Sequence, residues 1–263
     1  MDGVSYEPLI RDMVWSYSRL KAYDDCPYRW YLKYIRYPKA EQKQMFFANY
    51  GKFVHELIAD FYSGEKTPNE LEVEYLQDFR AKVNAYAPNK AVFKNYFLDG
   101  LNYIRRLERP KNKVLSVENK VKFQVGGIPL IGYIDRLEED ADGHILVIDN
   151  KSRTLKPRSN RSKATKADEE LDRYLRQLYL YSIAVQSQYG KPPYKLCFDC
   201  FRNQIFIEER FRDDEYKKAQ IWVEDKVSEI SKDTEFRPNM EYFKCRYLCE
   251  MQEYCDYYEL TKR

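Results

Sequence analysis

Apolar residues recur along this chain at two different periods, and the change from one to the other divides it. Between positions 15 and 36 the pattern predicts two short helices, the first capped by Ser16 or Ser18 and the second opened by Cys26-Pro27, with proline at its first helical position. Trp30, Tyr31 and Tyr34 form the packing face there. Over 51–62, Val54, Leu57, Ile58 and Phe61 fall at the i, i+3, i+4, i+7 spacing of one helical face, with His55 at the border of the stripe. Two further helices, over about 68–86 and 90–108, stop before Arg109-Pro110. The period then becomes two. Positions 114–125, 129–137 and 144–148 read as strands, the last two joined by the polar turn 139–143. A helix over about 168–189, strands over 194–200 and 204–209, a helix over 212–231 and an aromatic tail from Arg237 complete the order. That order predicts an α/β (α+β) fold, a mixed sheet flanked by helices. It reads as one domain over 1–263, with a helical N-terminal region (1–110), a core (111–211) and a C-terminal helix and tail (212–263).

Composition narrows the functional classes. The 263 residues include 45 Lys or Arg against 42 Asp or Glu, so a third of the chain is charged while the net charge is only +3. With 44% hydrophobic residues, 9 Gly and 11 Pro, it is neither low-complexity nor disordered and can bury a sizeable core. A near-neutral balance excludes a globally basic nucleic-acid binder but leaves room for a local groove. One window is far from balanced: over 151–166 stand Lys151, Arg153, Lys156, Arg158, Arg161, Lys163 and Lys166, with no acidic residue. Twenty-five tyrosines add a large amphipathic surface able to stack. The longest purely aliphatic run, 145–148, is far short of a membrane span, and 1–11 lacks a basic start followed by an apolar stretch, so the expectation is a cytoplasmic protein without membrane contact.

Two acidic residues stand on neighbouring predicted strands, Asp135 after Ile131-Gly132-Tyr133-Ile134 and Asp149 after Ile145-Leu146-Val147-Ile148. Asp149 and Lys151 are two apart, so in a continuing strand both project from one face. Two carboxylates with a backbone carbonyl suit a hard divalent cation such as Mg²⁺ or Mn²⁺, and Asn150 is counted among these metal ligands. A lysine alongside can position water and offset charge growing on a phosphate. The plainer alternative is a surface salt bridge at a strand end, worth at most about 1 kcal/mol. Of the six cysteines, Cys245, Cys249 and Cys255 cluster in the tail, and the distant Cys26 can complete a set of four thiolates around a metal in a reduced compartment. Cys197 and Cys200 are three apart in a predicted strand, face opposite sides, and read as core thiols.

The Gly-Tyr-Ile-Asp strand, the hairpin and the apolar strand ending Asp149-Asn150-Lys151 resemble the PD-(D/E)XK nuclease superfamily, specifically its RecB-like branch. Gly51-Lys52-Phe53-Val54-His55 resembles that branch's Gly-x-x-x-His element, which implies a metal role for His55, and the segment 173–181 resembles its Gln-x-x-x-Tyr helix, which implies substrate-facing roles for Arg173, Gln177 and Tyr181. Glu118 matches an upstream glutamate in a supporting role. Asp25-Cys26-Pro27-Tyr28 with the terminal cysteines is similar to the branch's iron–sulfur subset, which includes the AddB nuclease domain and CRISPR-associated adaptation exonucleases.

The resemblance implies a restriction-endonuclease-like core and a Mg²⁺- or Mn²⁺-dependent DNA nuclease, an exonuclease on single strands or DNA ends in processing, recombination, repair or CRISPR-type adaptation. In it Asp135, Asp149 and His55 hold the metal, Lys151 stabilises the transition state and Gln177 and Tyr181 orient the strand. A 4Fe–4S cluster sits on Cys26, Cys245, Cys249 and Cys255, with structural zinc as the alternative. Arg153, Lys156, Arg158, Arg161, Lys163, Lys166 and Arg173 become DNA contacts on a mobile loop and the helix after it. No helicase motif is present, so unwinding calls for another chain, a helicase or integrase-type partner. The rival class is a non-catalytic DNA-binding or assembly subunit with the same fold and cluster; a transcription-type zinc protein is weaker still.

Overall fold

Both periods reappear as elements in the computed structural model, which describes residues 6–262; residues 1–5 and Arg263, the extremities of the expected 1–263 unit, lie outside the described residues. The helical region begins with α1 (Glu7–Arg11), which the pattern does not predict, then α2 (Tyr17–Asp25), α3 (Pro27–Tyr31) and a π-helical turn over Leu32–Arg36. Ser16 caps α2 by accepting the Arg19 N–H, and Cys26 caps α3 with its sulfur. Next come α4 (Phe46–Tyr62), α5 (Pro68–Lys82) and α6 (Lys90–Ile104). Helix α4 starts five residues before the expected 51 because Phe46 and Tyr50 extend the buried stripe one turn upstream, placing Gly51 inside the helix. A side chain at Gly51 would press on Ser152, so the missing Cβ lets α4 approach the loop after Lys151.

Among the described residues, β1 (Lys113–Val125), β2 (Ile128–Glu139), β3 (Ile145–Asn150), β4 (Lys195–Cys200) and β5 (Ile205–Arg210) form one sheet in the order β1-β2-β3-β4-β5. Only β3 and β4 are parallel, joined by the crossover helix α7 (Lys166–Tyr189); the other pairs are antiparallel. This is the mixed sheet with flanking helices that the element order predicts. Gly126-Gly127, with φ of 54° and 82°, makes a two-residue turn between β1 and β2, where both central residues need left-handed backbone. Helix α7 opens on a reciprocal capping box between Thr165 and Asp168 and ends on left-handed Gly190. Helix α8 (Asp213–Lys232) packs along α7, and a short α9 (Tyr242–Tyr247) leads into the tail.

The apolar interior has two main regions. Between the sheet and α7 and α8, Leu137, Val147, Leu196 and Phe198 meet Leu171, Leu175 and Leu178. A second, strongly aromatic region fills the space among α4, α5 and α6, with Phe53 stacked on Tyr75 at 5.7 Å. Cys200 lies in the first region, while Cys197 packs with Leu146 and Ile148 in a separate cluster, as strand neighbours facing opposite sides should. Among the described residues no helix is long and apolar enough to cross a membrane.

The N-terminal helices are fixed to the rest by stacked rings: Trp30 lies between Trp15, at 6.1 Å and 12°, and Phe236, at 5.8 Å and 11°. Trp15 also pairs with Leu130, extending the sheet beside β2 beyond the C-terminal end of β3. Replacing the fully buried Trp30 with Ala should therefore cost about 3–5 kcal/mol, read as a fall in the urea midpoint without a change of slope.

Candidate active site and thiol centre

Three carboxylates lie in a row across three adjacent strands. The β1–β2 register sets Glu118 opposite Asp135, and continuing the β2–β3 register by one residue sets Asp135 beside Asp149. Glu118 has a φ of 49°, a left-handed conformation that is strained for a residue with a side chain. The side-chain donors of His55, Glu118 and Asp135 lie within 4.8 Å of one another, a spacing able to hold one metal ion. His55 Nδ1 is 3.5 Å from Asp135 Oδ2, and the same oxygen accepts the Asn150 backbone N–H at 2.7 Å. A groove lined by Gly51, Lys52, His55, Glu56 and Glu118 opens this group to solvent.

Electrostatics follow from this crowding. Burial and the nearby Asp149 charge push Asp135 well above the usual carboxylate range, and the same two causes raise Glu118. Burial pushes His55 down to about 4, leaving it a neutral imidazole near pH 7, the form that ligates metals. Asp149 Oδ2 sits 2.6 Å from Lys151 Nζ, an ion pair whose angle is poor for a hydrogen bond. Burial is the largest influence and disfavours the Lys151 ammonium, but the close contact and charge of Asp149 together with the Asp135 charge outweigh it and hold Lys151 above the ordinary lysine range. Lys151 also donates to Gln177 Oε1 at 3.0 Å, and Gln177 Nε2 donates to Tyr181 Oη at 2.9 Å. The ring of Tyr181 covers Gly132, where a Cβ would collide with it.

The residues expected at the site thus fall into two adjoining groups. His55 and Asp135 converge with Glu118, to which the sequence assigns only a supporting role. Asp149, Lys151, Gln177 and Tyr181 form a chain beside them. Asn150 contributes its backbone, while its side-chain Oδ1 is buried without a partner. The face of α7 bearing Gln177 and Tyr181 is turned inward, and Arg173 remains exposed.

The basic window behaves differently from the expected mobile loop. Leu155 anchors it in the core, and Asp168 clasps it by accepting from the backbone N–H and hydroxyl of both Ser159 and Thr165, each at 2.7 Å. Arg158 is neutralised by Asp172 at 2.6 Å and Glu209 at 3.1 Å, and Arg153 reaches Glu170 at 2.9 Å, so the first of these braces the loop and the second is shared. Lys156, Arg161, Lys163, Lys166 and Arg173 are exposed and make no ion pair among the described residues.

At the other end, Cys26, Cys245, Cys249 and Cys255 all line one enclosed cavity, and none is in a disulfide. The Cys26 sulfur accepts the Arg29 N–H at 3.5 Å and the Asn239 N–H at 3.4 Å. Backbone N–H groups of Met251 and Tyr257 favour the thiolates of Cys249 and Cys255, although burial pushes both thiols up, Cys249 to about 12. Four sulfurs furnished with N–H donors fit a tetrathiolate centre. No three of them lie mutually within 4.8 Å, whereas tetrahedral zinc with bonds of about 2.3 Å needs sulfurs about 3.8 Å apart.

The sequence profile of one family, described as the PD-(D/E)XK nuclease superfamily, matches residues 14–256. No curated protein sequence matches the chain. Among solved structures, one called "Crystal structure of SSO0001" is similar, with 16% identity over 95% of each chain and a TM-score of 0.32.

Because folding raises the Asp135 and Glu118 values, the fold binds protons more tightly than the unfolded chain; their cost is present near neutral pH and disappears as pH falls through the raised values. Added Mn²⁺ should relieve it. Mn²⁺ should raise the melting temperature of the wild type, and Asp135→Asn should be no less stable than the metal-free wild type and lose the Mn²⁺ response; an unchanged response in the variant would remove Asp135 from the metal group.

Proposed function

The chain belongs to the PD-(D/E)XK nuclease superfamily, and from that premise we propose that it is a metal-dependent deoxyribonuclease of the RecB-like branch, an exonuclease acting on single strands or DNA ends. The observation that carries this reading is the convergence of His55, Glu118 and Asp135 beside the Asp149, Lys151, Gln177 chain, with His55 and Glu118 lining an open groove. His55, Glu118 and Asp135 would hold a Mg²⁺ or Mn²⁺ ion, with Asp149 adjoining and the Asn150 backbone bracing Asp135. Such an ion, when bound, polarises a phosphodiester toward attack by water.

The protein's own groups do the rest. Lys151 is held as an ammonium, so its role is to stabilise charge developing on the phosphate rather than to remove a proton. Gln177 fixes the direction of that ammonium and Tyr181 fixes Gln177, with Gly132 as the only residue type that admits the ring. The exposed Lys156, Arg161, Lys163, Lys166 and Arg173 supply phosphate contacts without sequence preference, and the clasped loop presents them at little ordering cost. Cys26, Cys245, Cys249 and Cys255 would bind a 4Fe–4S cluster, with zinc as the competing occupant that metal and sulfide analysis separates.

End-labelled single- and double-stranded DNA incubated with Mg²⁺, Mn²⁺ or a chelator tests activity, metal need and polarity together. Asp149→Ala and Lys151→Ala should each lower cleavage by at least about 10²-fold while DNA binding persists, and retained cleavage in either variant rejects the mechanism. For the thiol centre, Cys249→Ala should lose metal and thermal stability together; an unchanged visible iron–sulfur absorbance in that variant would exclude Cys249 as a ligand.

A further inference from the structure

Arg29 stands one turn after Cys26 and lines the same cavity as all four cysteines. Its side chain is largely buried, and its Nε is buried with no hydrogen-bond partner. The two carboxylates nearest to it are each held more closely by a lysine. Asp25 Oδ2 is 2.8 Å from Lys21 Nζ but 3.5 Å from Arg29, and Glu250 reaches Lys33 Nζ at 2.6 Å but Arg29 at 3.8 Å. The guanidinium therefore shares both carboxylates with lysines, through long contacts made by its terminal nitrogens, and keeps its Nε–H uncommitted beside a cavity walled by sulfur. A buried cation with a free N–H is costly unless an anion arrives to meet it.

We infer that Arg29 is the counter-charge of the thiol centre, a positioning residue whose guanidinium stabilises the anionic metal–tetrathiolate group and retards loss of its metal. The inference rests on the reading of Cys26, Cys245, Cys249 and Cys255 as metal ligands. Four thiolates around a divalent ion or a 4Fe–4S core leave a net negative charge inside a cavity with little water, where a neighbouring cation has its greatest effect. The pull of Arg29 on Cys249 and Cys245 has the direction this requires, favouring both thiolates. Its backbone N–H already donates to Cys26, so one residue serves the centre through main chain and side chain.

The test follows release of iron, or of zinc, from the purified holoprotein to a colorimetric chelator, beside the melting temperature of each variant. Arg29→Gln should release metal about 10- to 100-fold faster than wild type. Arg29→Lys, which keeps the charge, should recover most of the retention. Glu250→Gln breaks the same ion-pair cluster but leaves Arg29 its charge, so it should release metal no faster than wild type. Arg29→Gln with wild-type retention overturns the assignment, and so does Glu250→Gln losing metal as fast as Arg29→Gln, since that pattern marks a bracing role. Wild-type protein purified without iron or zinc would instead overturn the thiol-centre reading itself, which separates the two failures.

Discussion

Three carboxylates packed side by side on adjacent strands, partly out of water, cannot all keep their charge without cations to meet them. Much of the sheet's design answers that constraint. Lys151 closes against Asp149 at 2.6 Å, the Asn150 N–H meets Asp135, and His55 is brought in neutral so that it adds no charge of its own. The remaining deficit falls on the Glu118 and Asp135 end, which is also the end open to the groove. The protein thus supplies one cation and leaves room for another, and the same electrostatic need that would draw in a metal ion keeps Lys151 protonated beside it.

Much of this arrangement is visible in the one-dimensional sequence because the strands carrying it are so regular. Asp135 and Asp149 each end a run of apolar residues, where an acid is conspicuous, and the spacing of Asp149 and Lys151 fixes their shared face. Gln177 and Tyr181 are one helical turn apart, and their hydrogen bond follows from that spacing alone. Glu118 is harder to place, for two physical reasons. It sits in a strand of mixed polarity with no apolar run to set it off, and its left-handed backbone is invisible to periodicity. The signal that locates it is remote: Gly126-Gly127 fixes a two-residue turn, and counting back along the ladder from Val125 and Ile128 puts Glu118 against Asp135.

The basic loop and the start of α4 escape the sequence pattern for a related reason, since both depend on contacts that only the folded chain makes. A run of Lys and Arg looks mobile until Asp168, at the start of the next helix, is seen to gather Ser159 and Thr165. Arg158 looks like a DNA contact until Asp172 and Glu209 are brought to it from two other elements. Gly51 looks like a helix start, whereas its lack of a side chain serves the approach of Ser152 from the far side of the site. Charge and glycine in a sequence report what a residue can do, and tertiary partners decide whether it does so.

The tail makes the opposite argument, because there burial cannot explain the structure. Helix α9 buries none of its residues, and the apolar cluster joining the tail to the N-terminal helices contains only Tyr28, Leu32 and Met251 as buried members. Three such side chains provide at most a few kcal/mol each, against the entropy of ordering the chain beyond Phe236. Ring contacts, Tyr28 with Tyr257 and Tyr37 with Tyr254, add a little, and polar bonds join Tyr28 to Asp256, Lys33 to Glu250 and Asn239 to Cys26. Such bonds fix geometry better than they supply free energy. In the proposed reading, what makes a lightly packed segment worth holding in one shape is the set of four thiols lining its cavity, where metal ligation would supply the binding energy that the apolar contacts lack. On that reading the tail and the N-terminal helices would meet on chemistry rather than on a core, and the helices concerned, α2 and α3, are the same ones that Trp30 stacks against the sheet carrying the carboxylates.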